Sequence, residues 1–397
     1  MEYTDITTDA QLKDFCARAS KAKDIAFDTE FVSEDTYHSD LCLVQVAADK
    51  ELAVIDTKAI SDADPFWDLL AEVTHTTIAH AAREEFLFCL RATGKRPANL
   101  IDLQVAAGLV GIEYPASYGN LVGKLMGKTV PKGETRTDWR RRPLSRRQIE
   151  YALNDVLYLV QMRDALKKRL AELGRLAWLD EEMLAWQDNL EESVSRQRWM
   201  RVSGISGLSP RSMAIVRELW HWREDEAQRR NTPARRVLRD DLIVEMAKRQ
   251  TADPKRIKAV RGMHFRDVQK HIDELAKCVQ RGLDLDDKDL PRRARRDPPK
   301  QLNMLGQFLA TALSSVCHRN HLAHSLVGSV SDVREFVAYE LNVGRLPDDD
   351  LPKLASGWRK EVVGTLIDDL LEGRLAIRID DPLSDHPLTL ERVDESS

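Results

Sequence analysis

The chain has 397 residues, of which 43% are hydrophobic and 31% are charged, and its net charge is −5. This is the composition of an ordinary soluble protein with two or three domains, and the small net charge neither indicates nor excludes a nucleic-acid partner, because binding responds to local clusters of charge. The N-terminus lacks the features of a signal peptide, no 18-residue apolar run is present, and the five cysteines are scattered, so we expect a cytoplasmic protein without disulfides.

The first predicted elements are a helix and an acidic strand. A capping box from Thr8 to Gln11 predicts a helix that runs to about residue 21. The apolar run 25–31 then contains Asp28 and Glu30, which share one face of a strand because side chains alternate. Two adjacent like charges repel unless a cation or water separates them, and oxygen ligands suit Mg²⁺ or Mn²⁺. The alternative is a chance pair of acids, since the chain contains 65.

The pattern up to residue 175 is that of layered helices and strands. Residues 41–47 and 51–56 predict a hairpin, and the elements after it alternate, which is typical of an α/β domain. We predict helices at 65–72, 83–93, 102–111 and 117–126, strands at 77–80 and 99–103, and a long helix from Ser145, which begins another capping box.

That long helix carries a second polar pair. Tyr151 and Asp155 are four residues apart and therefore lie on one helical face, which Tyr158 and Leu159 continue. Taken alone, such a pair is usually core packing beside a solvated acid.

The remainder of the chain has a helical pattern. Residues 208–283 predict four or five short helices, and residues 302–379 predict a second helical bundle. Between them, residues 286–300 contain three prolines and ten charges, which indicates a linker. The tail from residue 380 contains six acids and one arginine, and we expect it to be disordered.

Together these motifs resemble the DEDD superfamily of 3′→5′ exonucleases in its tyrosine subtype, and most closely the ribonuclease D family. The matching segments are 28–30 (DTE), 80–85 (HAAREE) and 151–155 (YALND), with the connecting loop 132–144. Residues 219–223, 233–247 and 261–262 resemble an HRDC domain, and residues 357–374 more weakly resemble a second one.

The resemblance implies a fold and a domain order. It implies an α/β ribonuclease-H-like nuclease domain, with a mixed sheet flanked by helices, followed by two all-α HRDC-type domains. We expect an exonuclease domain with a connector helix at 1–190, a first HRDC domain at 205–285, the linker at 286–300, a second HRDC-like domain at 301–379 and a disordered acidic tail at 380–397.

The resemblance also implies a metal-dependent 3′→5′ exoribonuclease that releases 5′-mononucleotides with two divalent ions, Mg²⁺ or Mn²⁺. Asp28 is expected to bridge the ions, Glu30 and Asp155 to complete the ion on the attacking side, Glu85 to hold the ion on the leaving-group side, and Tyr151 to orient the water. The family has an aspartate where this chain has Glu85. If Glu84 and Glu85 are instead ordinary acids of a first helical turn, activity is in doubt.

The substrate side of the site is expected to be basic. Residues 134–147 contain six arginines against two acids, a local positive patch suited to phosphates. Trp139 belongs either to the core or to a base-stacking surface. The predicted substrate-binding residues are Thr29, Phe31, His80, Arg136, Trp139, Arg140 and Arg142.

The expected partner is RNA, either tRNA precursors or other structured RNA 3′ ends, and the protein is expected to be a monomer with no membrane partner. Two alternatives remain open from the sequence. One is a DNA 3′→5′ exonuclease, and the other is a catalytically impaired RNA-binding protein on a nuclease fold.

Overall fold

The computed structural model describes residues 1–130, 137–195, 198–263, 266–291, 300–343 and 351–393. Its N-terminal part is built on a six-stranded mixed sheet in the order β1-β4-β3-β2-β5-β6. The strands are β1 (Thr4–Ile6), β2 (Asp24–Val32), β3 (Asp40–Ala48), β4 (Glu51–Ile55), β5 (Thr76–Ala79) and β6 (Leu100–Asp102). Strand β3 pairs antiparallel with both β2 and β4, and the other pairings are parallel. The predicted hairpin and the predicted α/β class are confirmed.

Strand β2 is central and carries the two acids predicted from the sequence. It pairs with β3 on one side and with β5 on the other. Its first residues, Ile25–Phe27 among them, are fully buried, whereas Asp28 and Glu30 are half-buried. The register with β3 shifts after Glu30, so the strand is irregular at the point where the acids end. A bulge of this kind bends a strand and re-aims its side chains.

The described part of this domain contains seven helices around the sheet. They are α1 (Asp9–Ala19), α2 (Asp64–Leu70), α3 (Arg83–Thr93), α4 (Leu103–Gly108), α5 (Tyr118–Met126), α6 (Arg146–Leu157) and α7 (Leu159–Glu172). The capping box predicted at Ser145 is confirmed at the start of α6, and Thr8 caps α1. The predicted long helix is interrupted at Tyr158, where α6 ends and α7 begins.

Helix α6 lies across the sheet face that carries Asp28 and Glu30. Its Ala152 and Leu153 pack in one buried cluster with Leu43 and Val54 of β3 and β4. Leu43 stands directly opposite Glu30 in the sheet, and opposed residues of an antiparallel pair share a face. The packing of α6 therefore brings its polar side chains toward the acids of β2.

The C-terminal half is helical, as predicted. A connecting helix α8 (Leu176–Ser195) leads to a first bundle and then a second one. The first bundle contains α9 (Pro210–Arg229), α10 (Ala234–Val237), α11 (Asp240–Arg249), α12 (Pro254–Lys258), α13 (Arg266–Gln269) and α14 (Ile272–Asp284). The second contains α15 (Leu302–Arg319), α16 (His324–Val327), α17 (Val330–Glu340) and α18 (Gly357–Leu371).

The two bundles relate differently to the nuclease domain. The first bundle has a hydrophobic core of its own, whereas the second shares one continuous core with the nuclease domain. Arg175 is buried at this junction and donates hydrogen bonds to the carbonyl oxygens of Leu109 and His321, each at 2.8 Å. Glu182 of α8 pairs with the buried Arg359 of α18 at 2.6 Å. The second bundle is therefore part of the same folded body as the nuclease.

The expectation of a disordered tail from residue 380 is wrong. Strand β8 (Leu388–Arg392) pairs with β7 (Leu375–Ile379) in an antiparallel hairpin. Arg319 of α15 donates a 2.8 Å hydrogen bond to Thr389, which fixes the hairpin to the second bundle. The prediction relied on the acidic composition of the tail and overlooked the alternating Leu388 and Leu390 of β8. Residues 292–299 of the expected linker and 394–397 of the tail lie outside the described residues.

Within the described residues, no helix combines the length and the apolar character needed to cross a membrane.

Candidate active site

Three carboxylates from two distant elements meet at one point. Asp28 and Glu30 come from β2 and Asp155 from α6, and each offers an oxygen within 4.8 Å of the others. Strand alternation places the first two side by side, and the packing of α6 on the same face adds the third. The convergence that the sequence predicted is confirmed for these three residues.

The electrostatics of this cluster favour a cation. Burial, reinforced by the neighbouring acids, raises the pKa of Glu30 to about 9 and that of Asp155 to about 8, and burial raises that of Asp28 to about 6. Among the described residues, no lysine or arginine offsets these charges. Clustered oxygen ligands of this kind suit Mg²⁺ or Mn²⁺, so the donor set fits divalent ions.

Gln45 is a site residue that the sequence reasoning missed. It lies on β3 directly opposite Asp28 and is fully buried. Its Nε2 donates a 2.6 Å hydrogen bond to Oδ2 of Asp28, while its Oε1 has no partner among the described residues. The signal was present in the sequence, because a glutamine inside the apolar run of β3 needs a polar partner once it is buried.

Tyr151 lies beside Asp155 and donates a hydrogen bond to its carboxylate. Burial, together with the nearby acids, raises the pKa of the Tyr151 phenol, which keeps it protonated. On its other side the ring contacts Trp139, with 6.3 Å between ring centroids. Trp139 is only 3% exposed, so its assignment as a substrate-binding residue is wrong and the core interpretation holds.

Glu85 lies near the cluster but is held elsewhere. It belongs to the first turn of α3, is 4% exposed, and accepts a 2.6 Å hydrogen bond from Thr29 Oγ1. Burial and the charge of Asp28 raise its pKa to about 8, yet it is not part of the group of three acids within 4.8 Å. Glu84 is half-buried and has other partners, because Ser39 donates to it and Arg83 pairs with it.

Thr29, Phe31 and His80 were predicted to contact substrate, and the structure places all three in packed surroundings. Thr29 is buried and its hydroxyl donates to Glu85, so the structure assigns it to the interior. Phe31 packs edge-on against Phe88 at 5.8 Å. Burial lowers the pKa of His80 to about 4, which keeps the ring neutral.

The His80 ring also identifies a second residue that the sequence reasoning missed. His80 contacts the ring of Tyr118 at 5.7 Å, and the Tyr118 hydroxyl donates a 2.5 Å hydrogen bond to the carbonyl oxygen of Asn154. Asn154 precedes Asp155 in α6. Through this hydrogen bond, Tyr118, which packs on His80, helps to fix the backbone of α6 next to Asp155.

The arginines of the predicted basic patch make different contacts. Arg142 forms a bidentate ion pair with Asp56, with both nitrogen–oxygen distances at 2.6 Å, and donates to the carbonyl oxygen of Cys42. Arg142 is therefore held by Asp56, a half-buried acid just after β4, and its contact with phosphate stays a prediction. Arg140 is exposed and pairs with Asp35 at 2.9 Å. Arg136 lies outside the described residues.

Comparison with known proteins gives a consistent result along the chain. Residues 3–171 match a family model described as a 3′-5′ exonuclease, and residues 212–279 match one described as an HRDC domain. A ribonuclease D from Sphingobium indicum is 34% identical over 380 residues, which cover 94% of this chain and 96% of the relative. A ribonuclease D from Nitrobacter hamburgensis is also 34% identical, over 94% of this chain and 97% of that protein.

A solved structure extends the similarity to the whole fold. The crystal structure of Escherichia coli RNase D, described as an exoribonuclease involved in structured RNA processing, superimposes with a TM-score of 0.82 and 27% identity. The match covers 94% of this chain and 99% of that one, so it includes both helical bundles as well as the sheet.

Proposed function

This chain belongs to the ribonuclease D family and is a 3′→5′ exoribonuclease, and we propose that it uses two divalent cations, Mg²⁺ or Mn²⁺, to release 5′-mononucleotides from RNA. The observation that carries the proposal is the group of three carboxylates, Asp28, Glu30 and Asp155, which meet within 4.8 Å without a neighbouring cationic side chain among the described residues.

When bound, a pair of divalent ions lowers the pKa of the attacking water and stabilises charge on the leaving 3′ oxygen. Asp28 would be shared by both ions, because it is the central acid and Gln45 fixes one of its oxygens. Glu30 and Asp155 would complete the ligands on the attacking side. Glu85 would serve the leaving-group side, and the raised pKa values of these acids indicate that they release protons when cations bind.

Tyr151 would orient the attacking water rather than remove its proton. Its phenol keeps its proton, and the hydrogen bond to Asp155 fixes the ring beside the carboxylates. With its one O–H donated to Asp155, the phenol oxygen can still accept a hydrogen bond from the attacking water and hold that water beside the carboxylates.

We propose tRNA precursors or other structured RNA 3′ ends as substrates. The support is the combination of a nuclease domain with helical modules, because folded RNA is recognised largely by shape and backbone contacts. Arg141 is 85% exposed and pairs with Asp138, and Arg146 is 90% exposed and pairs with Glu150. Exposed ion pairs of this kind are weak, so both guanidinium groups can exchange their partner for a phosphate. All five cysteines are free, which supports the reducing cytoplasm as the location, and we propose a monomer.

The proposed domain division is 1–190 for the nuclease with its connector, 205–285 for the first HRDC domain and 301–379 for the second. The first bundle has a hydrophobic core of its own, which supports residues 205–285 as a separate domain. The second HRDC-like domain is proposed as a separate unit of the sequence, but its hydrophobic core is continuous with that of the nuclease domain.

The experiment is release of mononucleotides from matched RNA and DNA oligonucleotides with and without Mn²⁺. We expect metal-dependent release of 5′-mononucleotides from the 3′ end of RNA, and loss of about 10³-fold or more of this activity in Asp28→Ala and Asp155→Ala. Faster release from DNA would favour the DNA exonuclease, and RNA binding without release from either would indicate an impaired nuclease fold.

A further inference from the structure

One buried hydrogen bond joins the acidic strand to the helix that carries Glu85. Thr29 Oγ1 donates to Glu85 Oε1 at 2.6 Å, across 56 residues of sequence. Thr29 is 5% exposed and Glu85 is 4% exposed, so water does not compete for this contact. Apart from the backbone N–H of Glu85 itself, Thr29 is the only donor to this carboxylate within the described ranges.

Thr29 lies between Asp28 and Glu30 in β2 but does not share their face of the strand. Side chains alternate along β2, so Thr29 points to the face opposite that of Asp28 and Glu30. Helix α3 packs against β2 and brings Glu85 to this hydroxyl. The hydrogen bond engages one glutamate oxygen, Oε1, and Asp28 is near enough for its charge to raise the pKa of Glu85.

We propose that Thr29 is a positioning residue, whose hydroxyl holds the longer glutamate side chain in the one arrangement that lets Glu85 share a cation with Asp28. A glutamate has one more rotatable bond than an aspartate, and a buried side chain without an anchor would sample other rotamers. This inference rests on the proposed function and assigns to Thr29 a contact with the protein rather than with substrate.

The length of the side chain provides a direct test. An aspartate at position 85 is shorter by about 1.5 Å, which would stretch the 2.6 Å contact with Thr29 beyond hydrogen-bonding range. The hydroxyl of Thr29 should therefore matter when residue 85 is glutamate and be irrelevant when it is aspartate. The two positions are expected to be coupled in a double-mutant cycle.

The experiment uses the full chain with Thr29→Val, which keeps the shape but removes the donor, and Thr29→Ser, which keeps the donor. Mn²⁺ binding is measured by calorimetry or electron paramagnetic resonance, and the Mn²⁺ concentration for half-maximal RNA hydrolysis is measured separately. We expect Thr29→Val to weaken Mn²⁺ binding about tenfold or more, the usual effect of losing a hydrogen bond to a charged group. Thr29→Ser should stay within about threefold of the parent protein.

In the Glu85→Asp background, Thr29→Val should change Mn²⁺ binding by less than about threefold. Equal losses in Thr29→Val and Thr29→Ser would overturn the proposal, because they would trace the effect to packing. The same loss in both backgrounds would also overturn it, because the effect would not pass through Glu85. Thr29→Ala serves as a second donor-free variant if Thr29→Val does not fold.

Failure of the proposed function has a different signature. It would appear as a parent protein that binds Mn²⁺ but releases no nucleotide, and the binding measurements on the Thr29 variants would still decide the positioning role. If the parent protein bound no Mn²⁺, both the proposed function and the role of Thr29 would be wrong.

Discussion

Asp28 shows how a single residue depends on neighbours that are remote in sequence. Its neighbour across the sheet, Gln45, donates to one of its oxygens at 2.6 Å, and Glu30 and Asp155 each bring an oxygen to within 4.8 Å of it. A carboxylate held by a neutral donor is oriented without losing its charge. Gln45 therefore orients Asp28 and leaves its negative charge available to a cation. An arginine in the same place would neutralise that charge and repel the cation.

Replacing Gln45 tests this orientation. We expect Gln45→Met, which has a similar length and no donor, to reduce kcat/KM for RNA about tenfold or more at limiting Mn²⁺, because a hydrogen bond to a charged group is lost. The measurement is RNA hydrolysis over a range of Mn²⁺ concentrations. A loss that excess Mn²⁺ partly restores would agree with the role, whereas unchanged Mn²⁺ dependence would contradict it.

The raised pKa values predict how stability varies with pH in metal-free protein. The folded-state pKa values of Glu30, at about 9, and of Glu85 and Asp155, at about 8, lie above the ordinary carboxyl range. Between pH 5 and 9 the folded state therefore binds more protons than the unfolded state, and its stability falls as pH rises. The thermal midpoint in EDTA should decrease over this range.

Divalent ions should reverse this trend. Mn²⁺ at about 100 times its dissociation constant adds about 2.7 kcal/mol, so the midpoint at pH 8.5 should rise by roughly 5 °C. Because protons compete with the cation, the rise should be much smaller at pH 5.5. Glu30→Gln removes one titrating acid and should flatten the pH dependence in EDTA. A midpoint in EDTA that does not change with pH would contradict the electrostatic account.

At the scale of elements, helix α6 places both Tyr151 and Asp155, and its position is fixed by packing on the sheet and by the cap at Ser145. The loop before α6 is tied to the end of β4 through Arg142 and Asp56. This ion pair is half-buried and bidentate, with an additional hydrogen bond to the backbone. The loop arginines thus differ in kind although they are adjacent in sequence.

Arg141 and Arg142 form a matched pair for testing that difference. We expect Arg142→Met to lower the free energy of unfolding by about 2–3 kcal/mol, because Asp56 loses its partner. Arg141→Met should leave stability within about 0.5 kcal/mol but weaken RNA binding and reduce its salt dependence, because a phosphate contact is lost. Urea unfolding and RNA binding at several salt concentrations measure both effects. Loss of stability in Arg141→Met together with loss of RNA binding in Arg142→Met would contradict this assignment.

Tyr151 allows a test of what the helix presents to the site. Tyr151→Phe keeps the ring that packs on Trp139 and removes only the hydroxyl. Turnover should fall about 10- to 100-fold while Mn²⁺ binding stays within about threefold, since positioning is lost but no ligand is. Single-turnover hydrolysis and calorimetry provide the two readouts. Equal losses in turnover and Mn²⁺ affinity would show that the phenol acts on the cation instead.

At the scale of the whole molecule, the nuclease domain and the second bundle share one core, while the first bundle has another. Trp358 of α18 stacks on Trp178 of α8 and donates to the buried Glu182. Contacts of the first bundle with the nuclease include Tyr37, whose backbone N–H and hydroxyl donate to Asn231 and Glu224. One helical module is thus built into the nuclease and the other is attached to it.

Core truncations should separate these two bodies. Trp358→Ala and Leu219→Ala each remove a fully buried side chain, at a cost of about 2–5 kcal/mol. By hydrogen-exchange mass spectrometry, we expect Trp358→Ala to raise exchange in strand β2 as well as in the second bundle. Leu219→Ala should raise exchange in the first bundle alone. Increased exchange in β2 from Leu219→Ala would contradict the division into two cores.

Local sequence patterns were enough to predict the α/β order of the nuclease, the two helical bundles and the acids Asp28, Glu30 and Asp155. Strand alternation, helical spacing and caps are local, and they were visible in the residues. The three-dimensional arrangement was needed to identify Asp28 as the partner of Gln45, Glu85 as the partner of Thr29, Asp56 as the partner of Arg142, and the contact that fixes the C-terminal hairpin to α15. Each of these outcomes depends on a partner at least 17 residues away or on packing against another helix, which local patterns do not encode.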